Sequence, residues 1–212
     1  MTDDVKAVLV LAPHTDDGEL GCGGTMRKLI EAGCRVYYVA FSICEDSVPE
    51  GFEPDTLLKE LYAATAQLGV EEKDVFALRH KVRRFNEVRQ DILEYMIKLR
   101  YELKPDWVFM PSSRSLHQDH QVIHNEGMRA FKGFTCLGYD LPWDTFEFPT
   151  TSFQVLKEGH IERKIAALKM YRTQAHRGYV DSEFIKSLAR VRGEQGHCRF
   201  AESFEVLRMI FR

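Results

Sequence analysis

Apolar residues along this chain fall into short continuous runs that alternate with stretches of helical spacing. The runs "KAVLVLA" (6–12) and "RVYYVAFS" (35–42) are rich in β-branched residues, as is typical of strands buried on both faces. Between them, "GGTMRKLIEAG" (23–33) carries apolar residues at helical period and ends at Gly33. A strand, a glycine-rich turn, a helix and a second strand within about 40 residues predict a βαβ unit with parallel strands.

The same alternation continues along the chain. It predicts helices over 55–70 and 85–105 and from His117 to Lys132, and strands over 74–79 and 106–112. Further on, "TCLGYDLP" and "FEFPTTSFQVL" predict shorter strands at an antiparallel edge, followed by helices over 159–174 and 181–195 and by a strand in "FAESFEVLRMI". Without a repeat or linker, we expect one domain over 1–212, with a three-layer α/β/α, Rossmann-like fold and a mostly parallel sheet.

Composition narrows the class of protein. The 212 residues are 44% hydrophobic and 29% charged, which is ordinary for a globular protein, and the net charge of −3 argues against nucleic-acid binding. Five cysteines without paired spacing favour a reducing compartment. The acidic start "MTDDVKAV" does not resemble a signal peptide, and no segment approaches the ~20 apolar residues of a membrane span. We therefore expect a cytoplasmic protein without a membrane span.

Polar residues cluster where two of the predicted strands end, in "LAPHTDDGELGCGG" (11–24) and "SSRSLHQDH" (112–120). Open parallel sheets bind ligands beyond the carboxyl ends of their strands, so both segments should border one crevice. Together they supply His14, Asp16, Asp17, Glu19, His117, Asp119 and His120. Mixed imidazole and carboxylate groups suit zinc, and a bound dication would make this crowding of acids favourable.

The residues alone leave the choice of ligands open. His117 and His120 are three apart and His120 and His124 are four apart, so either pair can share a helix face. Two histidines and one carboxylate would leave a position for water, which is the catalytic arrangement. "HQVIH" has the histidine spacing of zinc proteases, but Gln121 stands where their glutamate base is required.

Adjacent acids and nearby glycines refine this interpretation. The side chains of Asp16 and Asp17 diverge, so one can bind metal while the other takes a proton from water. The glycines in "GELGCGGT" suggest a dinucleotide-binding turn, but their spacing does not fit G-x-G-x-x-G and the acids would repel a pyrophosphate. The metal interpretation is therefore favoured over the nucleotide one.

Two motifs resemble those of a known family. "HTDDGELGCGGT" (14–25) resembles the His-x-Asp-Asp-x-Glu signature of the LmbE-like, or PIG-L-type, deacetylases, and "HQDH" (117–120) resembles their second motif. The C-terminal stretch, with its Ala-Glu-x-Phe segment, is also similar to the ends of family members. The resemblance extends over nearly the whole chain.

This resemblance implies a Rossmann-like fold and zinc-dependent hydrolysis of an N-acyl group, usually the acetyl group of a small-molecule amino sugar. By position, it implies that Zn²⁺ is bound by His14, Asp17 and His120. Asp16 would be the general base that activates the water, and His117 would stabilise the oxyanion or protonate the leaving amine. Asp119 and Glu19 would support the ligands from behind, and a homo-oligomer is expected by analogy.

The sequence signals for substrate-binding residues are weaker than those for the metal ligands. Leu57 stands where family members acting on sugar-thiol precursors carry an arginine, while Glu60 is kept. The basic run 79–84 predicts either a solvated loop or a grip on a phosphate or carboxylate, with Arg84 or Arg89 reaching the crevice. His176, Arg177 and Tyr179 are further candidates for substrate or subunit contacts. The alternatives to an amino-sugar deacetylase are a hydrolase of a larger N-acyl amide and a non-catalytic sugar- or nucleotide-binding protein with a structural metal.

Overall fold

Residues 5–211 are described by a computed structural model, in which a seven-stranded sheet lies between two layers of helices. The strands are β1 (Ala7–Ala12), β2 (Arg35–Ala40), β3 (Val75–Ala77), β4 (Trp107–Pro111), β5 (Thr135–Tyr139), β6 (Ser152–Leu156) and β7 (Phe200–Arg208). The helices are α1 (Asp17–Glu31), α2 (Thr56–Leu68), α3 (Arg89–Leu103), α4 (Gln118–Ala130), α5 (Glu158–Leu168) and α6 (Ser182–Gln195).

The strand order is β3-β2-β1-β4-β5-β7-β6. The first five strands in that order are parallel, whereas β7 runs antiparallel to both β5 and β6. The antiparallel edge is confirmed for β6, which pairs with the C-terminal strand β7, whereas β5, predicted to belong to the same edge, is parallel to β4. From β1 the chain adds β2 and β3 on one side of the sheet, and it then adds β4 and β5 on the other side. The carboxyl ends of β1 and β4 therefore flank the switch point, where such sheets bind ligands.

Alternate residues of β1 enter the two faces of the sheet. Val8 and Val10 pack in one core cluster with residues of α1, α2, α5 and α6, and Leu9 and Leu11 pack in a second cluster with α3 and α4. The strand is buried on both faces because both layers of helices cover it. The predicted three-layer, Rossmann-like fold with a mostly parallel sheet is confirmed.

Helix α1 begins six residues earlier than predicted, so the glycine-rich turn expected after β1 is wrong. Its glycines lie inside the helix and bring it close to the sheet. A Cβ atom on Gly18 would lie 2.5 Å from the ring of Tyr38, and one on Gly21 would lie 2.4 Å from the ring of Tyr139. The glycines are therefore used for packing against β2 and β5, and not for turning the chain or holding a phosphate.

The helix is also kinked, because Cys22 has non-helical torsion angles (φ −144°). The segment after the kink has its free N–H groups bound by the carboxylate of Glu202 in β7, which accepts from Gly24 (3.0 Å) and Thr25 (2.7 Å). Lys164 of α5 donates to the same carboxylate at 2.7 Å. The Ala-Glu-x-Phe segment of the C-terminal strand thus holds α1 in place.

The helix predicted over 55–70 was expected to end at Gly69, and this is confirmed, since α2 ends at Leu68 and Gly69 is its C-cap with φ 93°. Other boundaries differ from the prediction for local reasons. The predicted helix 85–105 begins with a 3-10 turn over Phe85–Val88 before α3. The predicted helix 159–174 ends as α5 at Leu168, with a separate 3-10 turn over Arg172–Gln174. This shorter helix leaves a loop that reaches the cavity described below.

Candidate metal centre

Three side chains from two loops meet beyond the carboxyl ends of β1 and β4. Nδ1 of His14 lies 3.1 Å from Oδ2 of Asp17, and Nε2 of His120 lies 3.3 Å from the same oxygen. One ligand atom from each of these residues lies within 4.8 Å of the other two. The structure therefore brings together the three residues that the sequence predicted as metal ligands.

Each histidine of this group has a carboxylate on its far side. Nε2 of His14 lies 3.0 Å from Oδ2 of Asp119, and Nδ1 of His120 lies 3.1 Å from Oδ2 of Asp144. Ser115 also donates its hydroxyl hydrogen to Asp144. A carboxylate behind an imidazole fixes its tautomer, and here it leaves Nδ1 of His14 and Nε2 of His120 directed at Asp17.

A second grouping, His14 with His117 and Asp119, also has ligand atoms within 4.8 Å of one another. It fits a metal less well because the carboxylate of Asp119 already accepts hydrogen bonds from other groups. Its carboxylate accepts the backbone N–H groups of Arg83 (2.5 Å) and Phe85 (3.3 Å) as well as facing His14. We therefore assign Asp119 to holding His14 and the loop that contains Arg83.

Burial and neighbouring charges shift the pKa values of Asp17 and His120 in opposite directions. Burial alone would raise the pKa of Asp17, but contacts with His120 and His14 hold that pKa well below its usual range. Burial likewise opposes the charged form of His120, yet Asp17 and Asp144 outweigh it and raise the pKa of His120 to about 9. The ionised carboxylate of Asp17 is ready to bind a divalent cation, whereas a proton on His120 must leave before its nitrogen can do so.

Asp16 lies next to this group in a different backbone conformation. Its φ of 86° is left-handed, whereas Asp17 is the first residue of α1. The two adjacent carboxylates therefore separate: Asp17 contacts the histidines, while Asp16 lines a cavity beside them. Burial, together with the negative charges of Asp17 and Glu19, raises the pKa of Asp16 well above its ordinary value.

His117 caps the N-terminus of α4. Its Nδ1 accepts the backbone N–H of Asp119 at 3.1 Å, and its ring stacks on that of His120 with 4.7 Å between centroids. Burial and the neighbouring His120 and His14 lower the pKa of His117. A neutral His117 whose Nδ1 accepts a hydrogen bond carries its proton on Nε2.

Glu19 does not contact the histidines. It is fully buried and accepts hydrogen bonds from the hydroxyl groups of Tyr38 and Tyr171. Burial raises the pKa of Glu19 to about 7 despite these bonds. Because Tyr38 also accepts the N–H of Gly18, Glu19 helps to fix the first turn of α1, which carries Asp17.

A cavity of about 380 Å³ opens above the metal group. It is lined by His14, Thr15, Asp16, Asp17, Cys44, Ser47, Leu57, Val82, Arg83, His117, His120, Trp143, Asp144, Gln174, Arg177 and Tyr179. Asp144 and Trp143 were not predicted from the sequence, since they lie on a connection that carries no motif, and Arg83 lies in the basic run 79–84, from which Arg84 was named instead. Arg177 and Tyr179, which were predicted as possible substrate contacts, do line the cavity.

The other predicted substrate residues lie elsewhere. Arg84 is paired with Glu87 at 2.5 Å and Arg89 with Glu126 at 2.7 Å, and neither lines the cavity. Glu60 is buried below the cavity, where it accepts the backbone N–H (3.1 Å) and the hydroxyl (2.6 Å) of Thr173. It holds the turn that places Gln174 and Arg177 at the cavity, without touching the cavity itself.

The remaining histidine of "HQVIH" is separate from the centre. Nδ1 of His124 lies 2.9 Å from the backbone oxygen of Pro111, and His124 belongs to neither of the possible metal groups. Among the described residues, no helix is long and apolar enough to cross a lipid bilayer.

Comparison with known proteins identifies the family. Residues 9–131 match PIG-L, described as GlcNAc-PI de-N-acetylase. YaiS of Escherichia coli strain K12, an uncharacterized deacetylase, is 24% identical over 172 residues, which are 79% of this chain and 91% of YaiS. The N,N'-diacetylchitobiose deacetylase of Pyrococcus horikoshii has a similar fold, with a TM-score of 0.79 and 22% identity over 96% of this chain and 84% of that one. GalB of Pseudomonas putida KT2440, a 4-carboxy-2-hydroxymuconate hydratase, is similar in fold too, with a TM-score of 0.78 and 17% identity over 98% of both chains. Because the family match covers more than half of its residues, the chain belongs to the PIG-L (LmbE-like) deacetylase family.

Proposed function

We propose that this protein is a zinc-dependent hydrolase that removes the N-acetyl group from an amino-sugar substrate. The observation that carries the proposal is the convergence of His14, Asp17 and His120, with Asp16 and His117 lining the same open cavity. Membership of the PIG-L family supports the deacetylation. The family description and the P. horikoshii enzyme both concern N-acetylated sugars, which supports the substrate class.

The residues fit a zinc ion. Two imidazole nitrogens and one carboxylate oxygen form a donor set that zinc prefers, and three protein ligands are typical of catalytic zinc sites. The carboxylates of Asp119 and Asp144 behind the two histidines are the outer partners that such ligands need. When bound there, zinc would supply Lewis-acid chemistry by lowering the pKa of water and polarising an acyl oxygen.

Asp16 is assigned as the general base. It lines the cavity directly beside Asp17, and its backbone is left-handed where that of Asp17 is helical. In the proposed reaction it takes a proton from the attacking water as the new C–O bond forms at the amide carbon. It returns that proton to the amide nitrogen as the C–N bond breaks, and the products are acetate and a free amine.

We assign His117 the role of donating a hydrogen bond to the acyl oxygen of the substrate. Because its Nδ1 accepts the backbone N–H of Asp119, its remaining proton is on Nε2 and is available for donation. Of the two roles that the family resemblance implies, this hydrogen bond favours stabilising the oxyanion over protonating the amine. Loss of such a donor typically costs about 10²- to 10³-fold in rate.

The test combines metal content with amine release. We expect about one zinc per wild-type chain by mass spectrometry, together with release of a free amine from N-acetylglucosamine or N,N'-diacetylchitobiose. Asp16→Asn should keep the metal and lose most of the activity, whereas His120→Ala should lose both. His124→Gln, which changes a histidine of the same helix outside the metal group, is the matched control for metal retention. Wild-type protein that neither contains nor takes up zinc would refute the proposal.

The amine must be measured directly, because GalB shows that this fold is shared by a hydratase. The proposal also includes a single domain over 1–212 and a cytoplasmic location. All five cysteines are free, which supports a reducing compartment.

A further inference from the structure

A carboxylate on the C-terminal strand holds the segment that leads into the second motif. Oε2 of Glu205 in β7 accepts the backbone N–H of Ser113 at 2.8 Å and the hydroxyl of Ser112 at 3.1 Å. Its Oε1 accepts the hydroxyl of Ser113 at 2.5 Å. All three hydrogen bonds come from uncharged groups of the two residues that follow β4, so this carboxylate is used to hold the backbone at that point.

The side chain of Glu205 reaches these residues across β5, since β7 pairs with β5 and not with β4. Gly138 lies directly opposite Glu205 in β5. A Cβ atom on Gly138 would lie 3.3 Å from Oε2 of Glu205 and 3.0 Å from Cα of Ser112, both tighter than ordinary contact. The glycine thus leaves the space through which the carboxylate crosses the neighbouring strand.

The same strand carries a second carboxylate that holds backbone N–H groups. Glu202 accepts from the N–H groups that follow the kink of α1, the helix that begins at Asp17. Side chains alternate along a strand, so Glu202 and Glu205, three residues apart, point to opposite faces of the sheet. One therefore holds the helix of the first motif, and the other holds the segment before the second motif.

The segment from Ser112 to His117 joins β4 to α4 and carries groups of the metal centre. The hydroxyl of Ser112 also accepts the N–H of Arg114 at 3.0 Å. Farther along, the hydroxyl of Ser115 lies 3.0 Å from Nδ1 of His120, and His117 caps α4. The place where the segment is held at its start therefore affects where Ser115 and His117 lie.

Packing alone does not fix the path of this segment, because Ser113, Arg114 and Leu116 are exposed. Its far end is held by the N–H of Leu116, which donates to the backbone oxygen of Asp144 at 3.0 Å. Glu205 holds the near end. A shift of about 1 Å in a reacting group can cost about 100-fold in rate, so these hydrogen bonds bear on catalysis.

We propose that Glu205 is a positioning residue of the candidate site. By holding the start of the segment after β4, it sets the positions of His117, the proposed oxyanion donor, and of Ser115 beside His120. This inference rests on the proposed function for its effect on the rate. Its effects on the segment and on metal binding do not depend on which reaction the protein catalyses, so they can be tested separately.

The first measurement is amide hydrogen exchange in metal-stripped protein, followed by NMR. In Glu205→Ala we expect the N–H of Ser113 to exchange about 10- to 100-fold faster, because its charged acceptor is lost. In Glu205→Gln the amide oxygen can still accept this N–H, so the rate should lie between those of Glu205→Ala and wild type. Wild-type exchange at Ser113 in Glu205→Ala would overturn the inference.

The second measurement is amine release by zinc-loaded protein. Glu205→Ala should lower kcat by about 10- to 100-fold with KM nearly unchanged, because the hydrogen bond from His117 stabilises the transition state. Glu205→Gln should recover most of kcat. Gly138→Ala keeps the carboxylate but fills the space it needs, so it should resemble Glu205→Ala. Glu158→Ala is the matched control, since this carboxylate pairs with exposed cations and its loss should leave kcat unchanged.

A role in stability alone would give a different result. Unfolding in denaturant shows whether each variant is folded under assay conditions, and a merely structural Glu205 would leave kcat per folded, zinc-loaded molecule at the wild-type value. Wild-type kcat in Glu205→Ala or in Gly138→Ala therefore overturns the inference while the proposed deacetylation stands.

Zinc affinity separates this inference from the proposed function. If wild type itself releases no amine, the proposed function fails, and competition with a chelator decides the role of Glu205. A fall in zinc affinity of about threefold or more in Glu205→Ala supports the inference, because Ser115 then no longer supports His120. An unchanged affinity overturns it.

Discussion

Asp144 provides a sharp test of the proposed metal centre, because no sequence motif marks it. Its Oδ2 lies 3.1 Å from Nδ1 of His120 and accepts the hydroxyl hydrogen of Ser115. As a carboxylate it keeps the proton of a neutral His120 on Nδ1, so that Nε2 can face Asp17 and a metal. An asparagine can instead turn its NH₂ group toward Nδ1, which favours the opposite tautomer.

The magnitude follows from two opposing effects of Asp144→Asn. Loss of an outer partner typically costs about 10- to 100-fold in metal affinity, which corresponds to about 1.4–2.7 kcal/mol. However, Asp144 also helps to raise the pKa of His120 to about 9, so protons compete with zinc for this nitrogen at neutral pH. Removing the carboxylate lowers that pKa and weakens this competition. The loss of affinity should therefore be full at pH about 9 or above and smaller at neutral pH.

The assay is competition for zinc with a chromophoric chelator at both pH values. Asp91→Asn, an exposed change in the first turn of α3, is the matched control and should leave the affinity unchanged. Ser115→Ala should cost less than Asp144→Asn, because it removes only the hydroxyl that bonds to the carboxylate. Equal zinc affinity of Asp144→Asn and wild type at the higher pH would refute the assigned role of Asp144.

Three further predictions concern the frame that carries the site. Lys164→Met leaves the carboxylate of Glu202 buried without its partner, so we expect a loss of about 3–5 kcal/mol in the free energy of unfolding, measured in denaturant; a loss below about 1 kcal/mol would contradict it. Gly21→Ala should cost about 1–3 kcal/mol by overpacking, whereas Gly159→Ala, whose Cβ would meet nothing within 4 Å in α5, should be neutral or stabilising. For Glu19, burial raises the pKa from 4.5 to about 7, so the folded protein holds this proton more tightly than the unfolded chain. The stability of metal-stripped wild type relative to Glu19→Gln should therefore fall as pH rises from about 4.5 to about 7, by about 3 kcal/mol, and a constant difference would show that this pKa is not raised.

Helical and strand periodicity predicted most of the architecture, because long buried elements impose strong patterns. The start of α1 was missed because glycine is a weak helix former and a cluster of glycines favours a turn. Here Gly18 and Gly21 serve a contact with rings of β2 and β5, which are distant in sequence. Such a long-range packing requirement leaves no local signal in one chain.

The residues of the candidate site, like the elements of the fold, were predicted only in part. His14, Asp17 and His120 are brought together as expected, since their motifs follow the carboxyl ends of neighbouring strands. Asp144 was not found, because it lies after β5 in a connection without a motif. The basic run 79–84 was recognised, but the arginine that lines the cavity is Arg83 and not Arg84. Arg83 has a positive φ, a local backbone feature that residue spacing does not encode.

The adjacent acids Asp16 and Asp17 can take different roles only if α1 is held rigidly. The backbone changes from left-handed at Asp16 to helical at Asp17, so a small shift of the helix start moves both carboxylates together. A Cβ on Gly18 would lie 2.5 Å from the ring of Tyr38 and push this turn away from the sheet. We therefore expect Gly18→Ala to weaken zinc affinity and amine release together, because Asp17 would move away from His120. Chelator competition and the amine assay on the same protein measure this, and an unfolding experiment separates it from general loss of the fold. Zinc affinity equal to that of wild type would show that the close approach of α1 to the sheet does not position the acids.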